Sequence, residues 1–302
     1  MSEKPFFSVV IATYNRAWCI KRAVNSVLNQ TYQDFEIVIV DDGSSDNTEE
    51  IINEYQNSKI RYFKFDKNQG QMPAKNYGIE KSIGAWIVIL DSDNEIVIDC
   101  LEIFKEEIEK EPNIYMFAGH AIDSQTNKSK INSYWYNIFK KEPTANFNQL
   151  ICDIGFGELF HVTHCSIFNQ VSFLTKSKRN TQIIWYKTYR FTNIKFIDKN
   201  LSLYHSDGDD SITNNKFKNA SLWVDGVKEF IDEFQDDIIQ RCPKHMSFHY
   251  KSLGIYQYFA GQKSEARKTF IRALEYNPFD YKVWIYLISS FNQRLFEKIA
   301  NR

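Results

Sequence analysis

The sequence has little glycine and little proline, 11 and 6 residues in 302. That scarcity excludes collagen-like chains and flexible linkers. There is no dominant charge: 37 basic residues face 38 acidic ones, for a formal net charge of −1. No basic excess points to nucleic acid, and no acidic run points to a disordered tail. Long apolar runs are missing. The longest, such as Val9–Ala12 and Ala85–Leu90, are strand-sized, far below the roughly 20 residues of a membrane-spanning helix. Residues Met1–Phe7 lack the apolar core of a signal peptide. The five cysteines (19, 100, 152, 165, 242) are scattered and odd in number, so no disulfide framework is expected and a reducing compartment is the default. The expected location is the cytoplasm, at most peripheral at the cytoplasmic face of a membrane. Aromatic residues are abundant instead, with 24 Phe, 17 Tyr and 6 Trp, which favours a compact globular chain with many stacking surfaces.

The first 110 residues alternate in period. Phe7–Thr13 is apolar and β-branched, as in a buried strand. Trp18–Asn29 carries Ile20, Val24, Val27 and Leu28 at helical spacing. Phe35–Val40 is a second strand, and Asp42-Gly43-Ser44-Ser45-Asp46 is turn chemistry leading into a helix cap. A helix over Thr48–Gln56, a strand over Ile60–Phe65, a proline-opened helix over Pro73–Ser82, a strand over Ala85–Leu90 and a helix from about Asp99 to Lys110 follow. This order predicts an α/β fold with a parallel sheet and right-handed crossovers. Ligands of such sheets bind beyond the carboxyl ends of the strands, which directs attention to Thr13–Asn15, Asp41–Ser44 and Asp91–Glu95. The middle, 111–218, mixes polar loops with strand-like pieces at Ile114–Gly119, Thr163–Phe168 and Ile194–Ile197. From Ala220 the pattern is helical, with Leu222, Val227, Phe230, Ile231, Phe234, Ile238 and Ile239 along one amphipathic stripe. Tyr250, Leu253, Gly254, Ala266, Phe270, Ala273 and Pro278 have the spacing of a tetratricopeptide repeat. A single repeat cannot bury its own face, so it is expected to pack on the preceding helix or on the first domain.

The carboxylates carry the chemistry. Asp41 and Asp42 end one strand, and Asp91 and Asp93 end another, all on one rim of a parallel sheet. A lone aspartate at a strand end usually caps a turn or helix. Two pairs on one rim need a cation or a shared proton, and a hard ion such as Mn²⁺ or Mg²⁺ takes one or two carboxylates plus phosphate oxygens. A metal–diphosphate site follows from that chemistry.

Ser8-Val-Val-Ile-Ala-Thr-Tyr-Asn15, Ser26-Val-Leu-Asn-Gln-Thr-Tyr32 and Phe35-Glu-Ile-Val-Ile-Val-Asp-Asp-Gly-Ser-Ser-Asp46 occur in that order. Asn68-Gln-Gly70, Ala74-Lys-Asn-Tyr-Gly78 and Gly84-Ala-Trp-Ile-Val-Ile-Leu-Asp-Ser-Asp93 continue the series. Together they resemble the family 2 inverting glycosyltransferases of the GT-A fold, densely over about residues 5–110 and more loosely to about 215. The resemblance implies a mostly parallel sheet flanked by helices. It implies a glycosyltransferase domain over 1–218 (1–110 for the nucleotide, 111–218 for the acceptor) and a helical extension over 219–302, repeat-like from about 250. It also implies transfer of a sugar from a nucleotide-diphosphate donor, a UDP-sugar as the favoured guess, to a glycan or lipid-linked acceptor in surface polysaccharide, lipopolysaccharide or glycoprotein assembly. By the same resemblance, Ala12 and Thr13 lie along the nucleoside and Tyr14 stacks on the base. Asp42 accepts the uracil N–H, Asp41 is its structural or ribose-side neighbour, and Lys75 stands near the diphosphate where the family often has arginine. Ser92 belongs to the same nucleotide-binding turn. Asp93 is the metal ligand and Asp91 a second one or a ribose contact. Asn94 replaces a commoner Asp, and Glu95 an apolar residue.

Inversion needs a base to take the acceptor's proton. The family's acidic pair, four residues before a Trp, falls here on Asn180 and Thr181 ahead of Trp185. A displaced base is therefore expected: Glu158 first, with Asp153 and His161 as neighbours. His164 on its predicted strand is expected to be structural. In the loop that often carries a histidine facing the diphosphate, the usual position falls on Asp207, with His205 two residues earlier and able to reach the metal or diphosphate if the loop adjusts. Cys242, His245 and His249 have ligand-like spacing but no fourth ligand. There is no Walker loop, dinucleotide fingerprint or nucleophile elbow. The rival readings are a nucleotide-sugar-binding scaffold with a degenerate second half, and a nucleotidyltransferase. The expected partners are a nucleotide-sugar and its acceptor, no nucleic acid, and a membrane surface or protein met through the helical C-terminus.

Overall fold

The computed structural model describes residues 4–152, 158–171, 181–206, 217 and 220–301, the side chains of 181 and 182 excepted. Its first third alternates strand and helix: β1 (Phe7–Thr13), α1 (Ile20–Leu28), β2 (Phe35–Asp41), α2 (Thr48–Asn53), β3 (Ile60–Lys64), α3 (Gln71–Lys81), β4 (Trp86–Ile89), β5 (Glu95–Ile96) and α4 (Cys100–Lys110). β2 is buried along its whole length and β1 nearly so, which is why both are unbroken apolar runs rather than alternating ones. α1 buries Ile20, Ala23, Val24 and Val27, a stripe at helical spacing. Trp18 precedes that helix and stays exposed. Pro73 is the third residue of α3 rather than its opener. First-turn N–H groups have no intrahelical partner, so proline there loses no hydrogen bond.

The chain continues with β6 (Met116–Asp123), α5 (Ser133–Lys141), β7 (Thr144–Ala145), α6 (Phe147–Ile151), β8 (Leu159–His164), α7 (Cys165–Phe168), α8 (Thr181–Tyr189) and β9 (Ile194–Tyr204). Among the described residues these make one sheet ordered β3-β2-β1-β4-β8-β6-β9-β5, with β7 added against β9. The β3-β2-β1-β4 portion is parallel. Beyond it the sheet is mixed: β8 runs antiparallel to β4 and β6, while β6 and β9 are parallel. The predicted strand Thr163–Phe168 is corrected. β8 ends at His164, whose imidazole accepts the Ser166 amide and starts the short α7. Both faces of β1 are covered, Val9 and Ile11 packing with α1 and α4 residues, and Val10 with Val38, Val40, Ala74 and Ile87.

At the amino ends of the parallel strands lies a buried polar staple. Ser8 Oγ donates to Glu36 Oε1 at 2.5 Å and accepts the Gly84 amide at 2.9 Å. Glu36 also accepts the Ile83 amide and the Arg61 guanidinium, each at 2.7 Å. Every acceptor oxygen of this carboxylate is used, as a buried charge requires.

The described residues fall into two compact units, one holding the sheet, the other α9 (Ala220–Arg241), α10 (His245–Phe259), α11 (Lys263–Tyr276), α12 (Tyr281–Ser289) and α13 (Gln293–Ala300) with residues 148–152, 181–183 and 217. In the helical unit Tyr250, Leu253, Ala266, Phe270 and Ala273 are buried. Gly254 admits the Phe270 ring, since a Cβ there would lie 2.5 Å from it. α10 packs on α9 through Phe230 stacked on His249 and Trp223 stacked on Tyr256. Leu222 and Ile239, placed on the apolar stripe by spacing, are exposed. Contrary to the expectation of no disulfide, Cys152 and Cys242 are bonded. They stand 90 residues apart in sequence, a pairing that no local spacing signals. Nearby, Arg241 donates to Asn148 Oδ1 at 2.6 Å. Among the described residues no helix is long and apolar enough to cross a membrane.

Candidate active site

Because β2, β1 and β4 are adjacent and parallel, their carboxyl ends bring 13–15, 41–44 and 91–95 to one rim. The loops there are tied to one another. Asn15, at φ 52°, donates its amide to Ser44 Oγ at 2.8 Å and accepts the Ser45 amide on its side chain at 2.9 Å. The Ala17 amide reaches Asp46 at 3.0 Å. Gly43 holds φ +78°, and a Cβ there would meet the backbone of Lys67 and Asn68 at 2.8–2.9 Å. Backbone cannot swing aside as a side chain can. Gly43→Ala is therefore expected to lower unfolding free energy by about 1–3 kcal/mol, measured as a fall in urea midpoint at unchanged slope; an unshifted midpoint would show that the loop relaxes freely.

The two aspartates after β2 have separate tasks. Asp41 is fully buried and accepts the Ser44 amide at 2.7 Å and the Tyr62 hydroxyl at 2.6 Å. Burial, then that bond, raises the Tyr62 phenol's pKa. Asp42 is also buried and accepts the amides of Gln69 (2.7 Å) and Gly70 (2.8 Å), fixing the loop that leads into α3. Thr13 is buried, Ala12 half-buried, and Tyr14 is 43% exposed at the rim.

Around the Asp91-Ser92-Asp93 turn the charges are crowded. Lys75, nearly fully buried, donates to Asp91 Oδ1 at 2.7 Å. Arg16 stands 4.0 Å from Asp93 Oδ2, and Arg22 donates to the Asp93 backbone carbonyl. Burial, and next the Asp91 charge, raise the Asp93 carboxyl's pKa against the pull of Arg16 and Arg22. Ser92 is buried, its carbonyl facing Cys19 Sγ. The Glu158 side chain reaches solvent, yet the protein around its carboxyl and the Asp91 charge raise its pKa, with Asp93 adding to this and Lys130 opposing it. Asp93 thus feels the Asp91 charge, and Glu158 feels both. Among the described residues no group of three such side chains is gathered to hold a metal ion, so a divalent cation here would take one or two carboxylate oxygens and fill its shell from phosphate oxygens and water.

His205 is fastened to the same turn. Its amide donates to Asn94 Oδ1 at 3.0 Å, its Nδ1 lies 2.9 Å from Ser124 Oγ, and its Nε2 lies 3.0 Å from Glu95 Oε1, close but not aligned as a hydrogen bond. Arg22 Nε lies 3.6 Å from the same Glu95 oxygen. The two departures noted in the sequence therefore have an account: Asn94 supplies an oxygen to the His205 amide, and Glu95 lies near both the His205 ring and the Arg22 guanidinium. His161, the neighbouring candidate, is buried. Burial pushes its pKa down to about 3, and its ring stacks 4.6 Å from Trp185. Asp153, Asn180, the Thr181 side chain and Asp207 lie outside the described residues. Cys242 is taken by its disulfide, and burial lowers His249 to about 4. Arg16, Arg22 and Tyr62 were not anticipated. Their signals, an arginine after a strand, another in the first turn of a helix and a tyrosine on a neighbouring strand, are too common to stand out.

A rim of this kind on a parallel-to-mixed sheet defines the GT-A class of nucleotide-sugar transferases. A family model described as "Glycosyl transferase family 2" matches residues 8–174. A GalNAc(5)-diNAcBac-PP-undecaprenol beta-1,3-glucosyltransferase of Campylobacter jejuni is 27% identical over 220 residues, 72% of this chain and 70% of its own. WfgD of Escherichia coli, a UDP-Glc:alpha-D-GlcNAc-diphosphoundecaprenol beta-1,3-glucosyltransferase, is 27% identical over 74% of this chain and 86% of its own. Glycosyltransferase GlyG of Streptococcus pneumoniae is 30% identical over 68% and 71%. TarS of S. aureus in complex with UDP has a TM-score of 0.61 at 16% identity, covering 95% of this chain and 91% of that one, and TarS has also been solved with UDP-GlcNAc. The chain belongs to glycosyl transferase family 2.

Proposed function

We propose that the chain transfers a sugar, with inversion, from a UDP-sugar to a lipid-linked glycan, using Mn²⁺ or Mg²⁺ held by Asp93 and Asp91. The observation that carries this is the gathering of Asp42, Asp91 and Asp93 at the carboxyl ends of adjacent parallel strands in a family 2 chain. The names of the two undecaprenol-dependent relatives and the UDP-GlcNAc complex of TarS support the acceptor and donor classes.

In this reading Ala12, Thr13 and Tyr14 lie along the nucleoside, with the exposed Tyr14 ring available to the base. Asp42, which holds the loop into α3 by accepting two amides, accepts the uracil N–H. Asp41, locked by Ser44 and Tyr62, holds that geometry. Lys75 and Ser92 face the diphosphate and its turn. Glu158 takes the proton from the acceptor hydroxyl as that oxygen bonds to the anomeric carbon and the carbon–phosphate-oxygen bond breaks. A raised pKa makes it a better proton acceptor than an ordinary carboxylate, provided it is ionised. The bound cation would neutralise charge growing on the departing nucleoside diphosphate. His205 acts through Glu95 and Asn94 to position the turn. The family's acidic pair is replaced by a base from the segment before β8. Residues 1–218 form the catalytic domain and 219–302 the repeat-like extension.

The full chain should be given UDP-glucose, UDP-N-acetylglucosamine and GDP-sugars, with Mn²⁺ or with chelator, in the presence of a polyprenyl-diphosphate-linked acceptor. UDP-sugar turnover giving a β-linked product from an α-linked donor, and lost in chelator, is expected. Turnover with GDP-sugars alone would sink the donor assignment, and an unchanged rate in chelator the metal.

A further inference from the structure

The helical unit has a face that is inverted relative to an ordinary surface helix. On α12 and its capping residue Ser290, the residues turned inward are Val283, Ser289 and Ser290, all buried. Those turned outward are Tyr281, Trp284, Ile285 and Ile288, at positions i, i+3, i+4 and i+7, each at least 42% exposed. Phe291 at 71% and Leu295 at 45% extend the stripe onto the following turn and α13. A contiguous apolar face of this kind on an otherwise polar surface marks an interaction site rather than scattered exposure.

Its chemistry narrows the partner. Lys263–Arg302 holds eight basic residues against four acidic ones, in a chain whose formal net charge is −1. The stripe is bordered by this charge. Arg267 lies 4.3 Å over the Phe291 ring and donates to the Ser290 carbonyl, and Lys282, Arg294 and Lys298 are exposed beside it. Three of the four acids are occupied: Glu265 pairs with Lys268, Asp280 caps α12 and faces Lys251, and Glu297 accepts from Gln293. Glu275 is exposed. Tryptophan, tyrosine and phenylalanine backed by lysine and arginine are the composition of helices that lie in the lipid interface. The basic excess complements anionic headgroups. Protein interfaces share the aromatic content, so it is the basic excess beside the stripe that favours an anionic lipid surface.

We infer that the outer face of α12, with the start of α13, docks the protein on an anionic lipid surface. The inference builds on the proposed lipid-linked acceptor, which would be met in that surface. Docking raises the local concentration of acceptor without any contact to the sugar.

The test floats the full chain on vesicles of phosphatidylcholine alone and of equal parts phosphatidylcholine and phosphatidylglycerol. Strong flotation is expected only with the anionic vesicles, weakening as salt rises. The pair Ile288→Ser/Phe291→Ser should lower the partition coefficient at least tenfold. Lys282→Glu/Arg294→Glu/Lys298→Glu should abolish the preference for anionic vesicles. All these sites are exposed, and circular dichroism serves as the folding control. Donor hydrolysis and transfer to a short-chain, water-soluble acceptor should be unchanged in both variants. Equal flotation of wild type and variants would overturn the inference. So would light scattering that finds a wild-type dimer and a monomeric Ile288→Ser/Phe291→Ser variant, which would assign the face to a second copy of the chain. A protein that floats as expected yet transfers sugar to no lipid-linked acceptor would retain the docking face and lose the proposed function.

Discussion

Asp93→Ala is expected to lower sugar transfer by on the order of a thousandfold, about 4 kcal/mol of transition-state stabilisation, because a cation at the departing diphosphate supplies several kcal/mol and would lose its principal ligand. Manganese binding, followed by calorimetry or paramagnetic resonance, should weaken in parallel. Stability should move the other way. The raised Asp93 pKa means the folded chain holds that proton more tightly than the unfolded one. The folded state is therefore penalised at neutral pH, and stability grows as pH falls through the folded pKa. Removing the carboxylate removes that penalty, so in metal-free buffer near pH 7 the variant should melt no lower than wild type, and above it if Asp91 stays paired with Lys75. A variant that keeps wild-type transfer at saturating metal would show that Asp93 is not the ligand. One that loses transfer and also unfolds would show the residue to be structural.

Glu158→Gln should reduce kcat/KM by about 10²–10⁴-fold, the usual contribution of a positioned base, with UDP binding unchanged by calorimetry. The pH profile separates a catalytic from a structural role. A general base works ionised, so wild-type activity should fall on the acid side, through a pKa above the ordinary carboxylate value because of the surrounding protein and Asp91. In the glutamine variant that acid limb should vanish while the residual rate stays flat. If the limb persists at the same pH, another group takes the proton.

Much of the nucleotide-binding half was legible in advance, for physical reasons. Parallel strands buried on both faces must be continuous apolar runs, and the four-strand frame from Phe7 to Ile89 emerged within a residue or two at its edges. Parallel packing also forces Thr13, Asp41 and Asp91 to share a rim. Partnerships made across space were not legible. Nothing in the spacing of Tyr62 says that it holds Asp41. Nothing in Glu95 says that His205 and Arg22 flank it. Cys152 and Cys242 meet across 90 residues. The break of β8 at His164 was missed for a local reason: its ring captures the Ser166 amide, a capping contact that outweighs the strand propensity of Ile167 and Phe168. The proposed base was the hardest to read, because a single acid such as Glu158 in an irregular segment looks like any exposed loop residue.

The buried staple of Ser8, Glu36 and Arg61 also shapes how the chain tolerates change over generations. It sits at one end of the same strands whose other end carries the aspartates. Along β1 and β2, about seven residues each, tolerance should therefore switch character from end to end. Substitutions near Ser8 and Glu36 strand a buried charge and should be felt as lower cellular abundance. Substitution of Asp93, beyond the opposite ends of the strands, should leave abundance intact and erase turnover. A saturation library scored separately for expression and for transfer should show that crossover within two turns of the pleat, and a lineage drifting toward a new donor could vary the rim while the staple keeps the sheet in register.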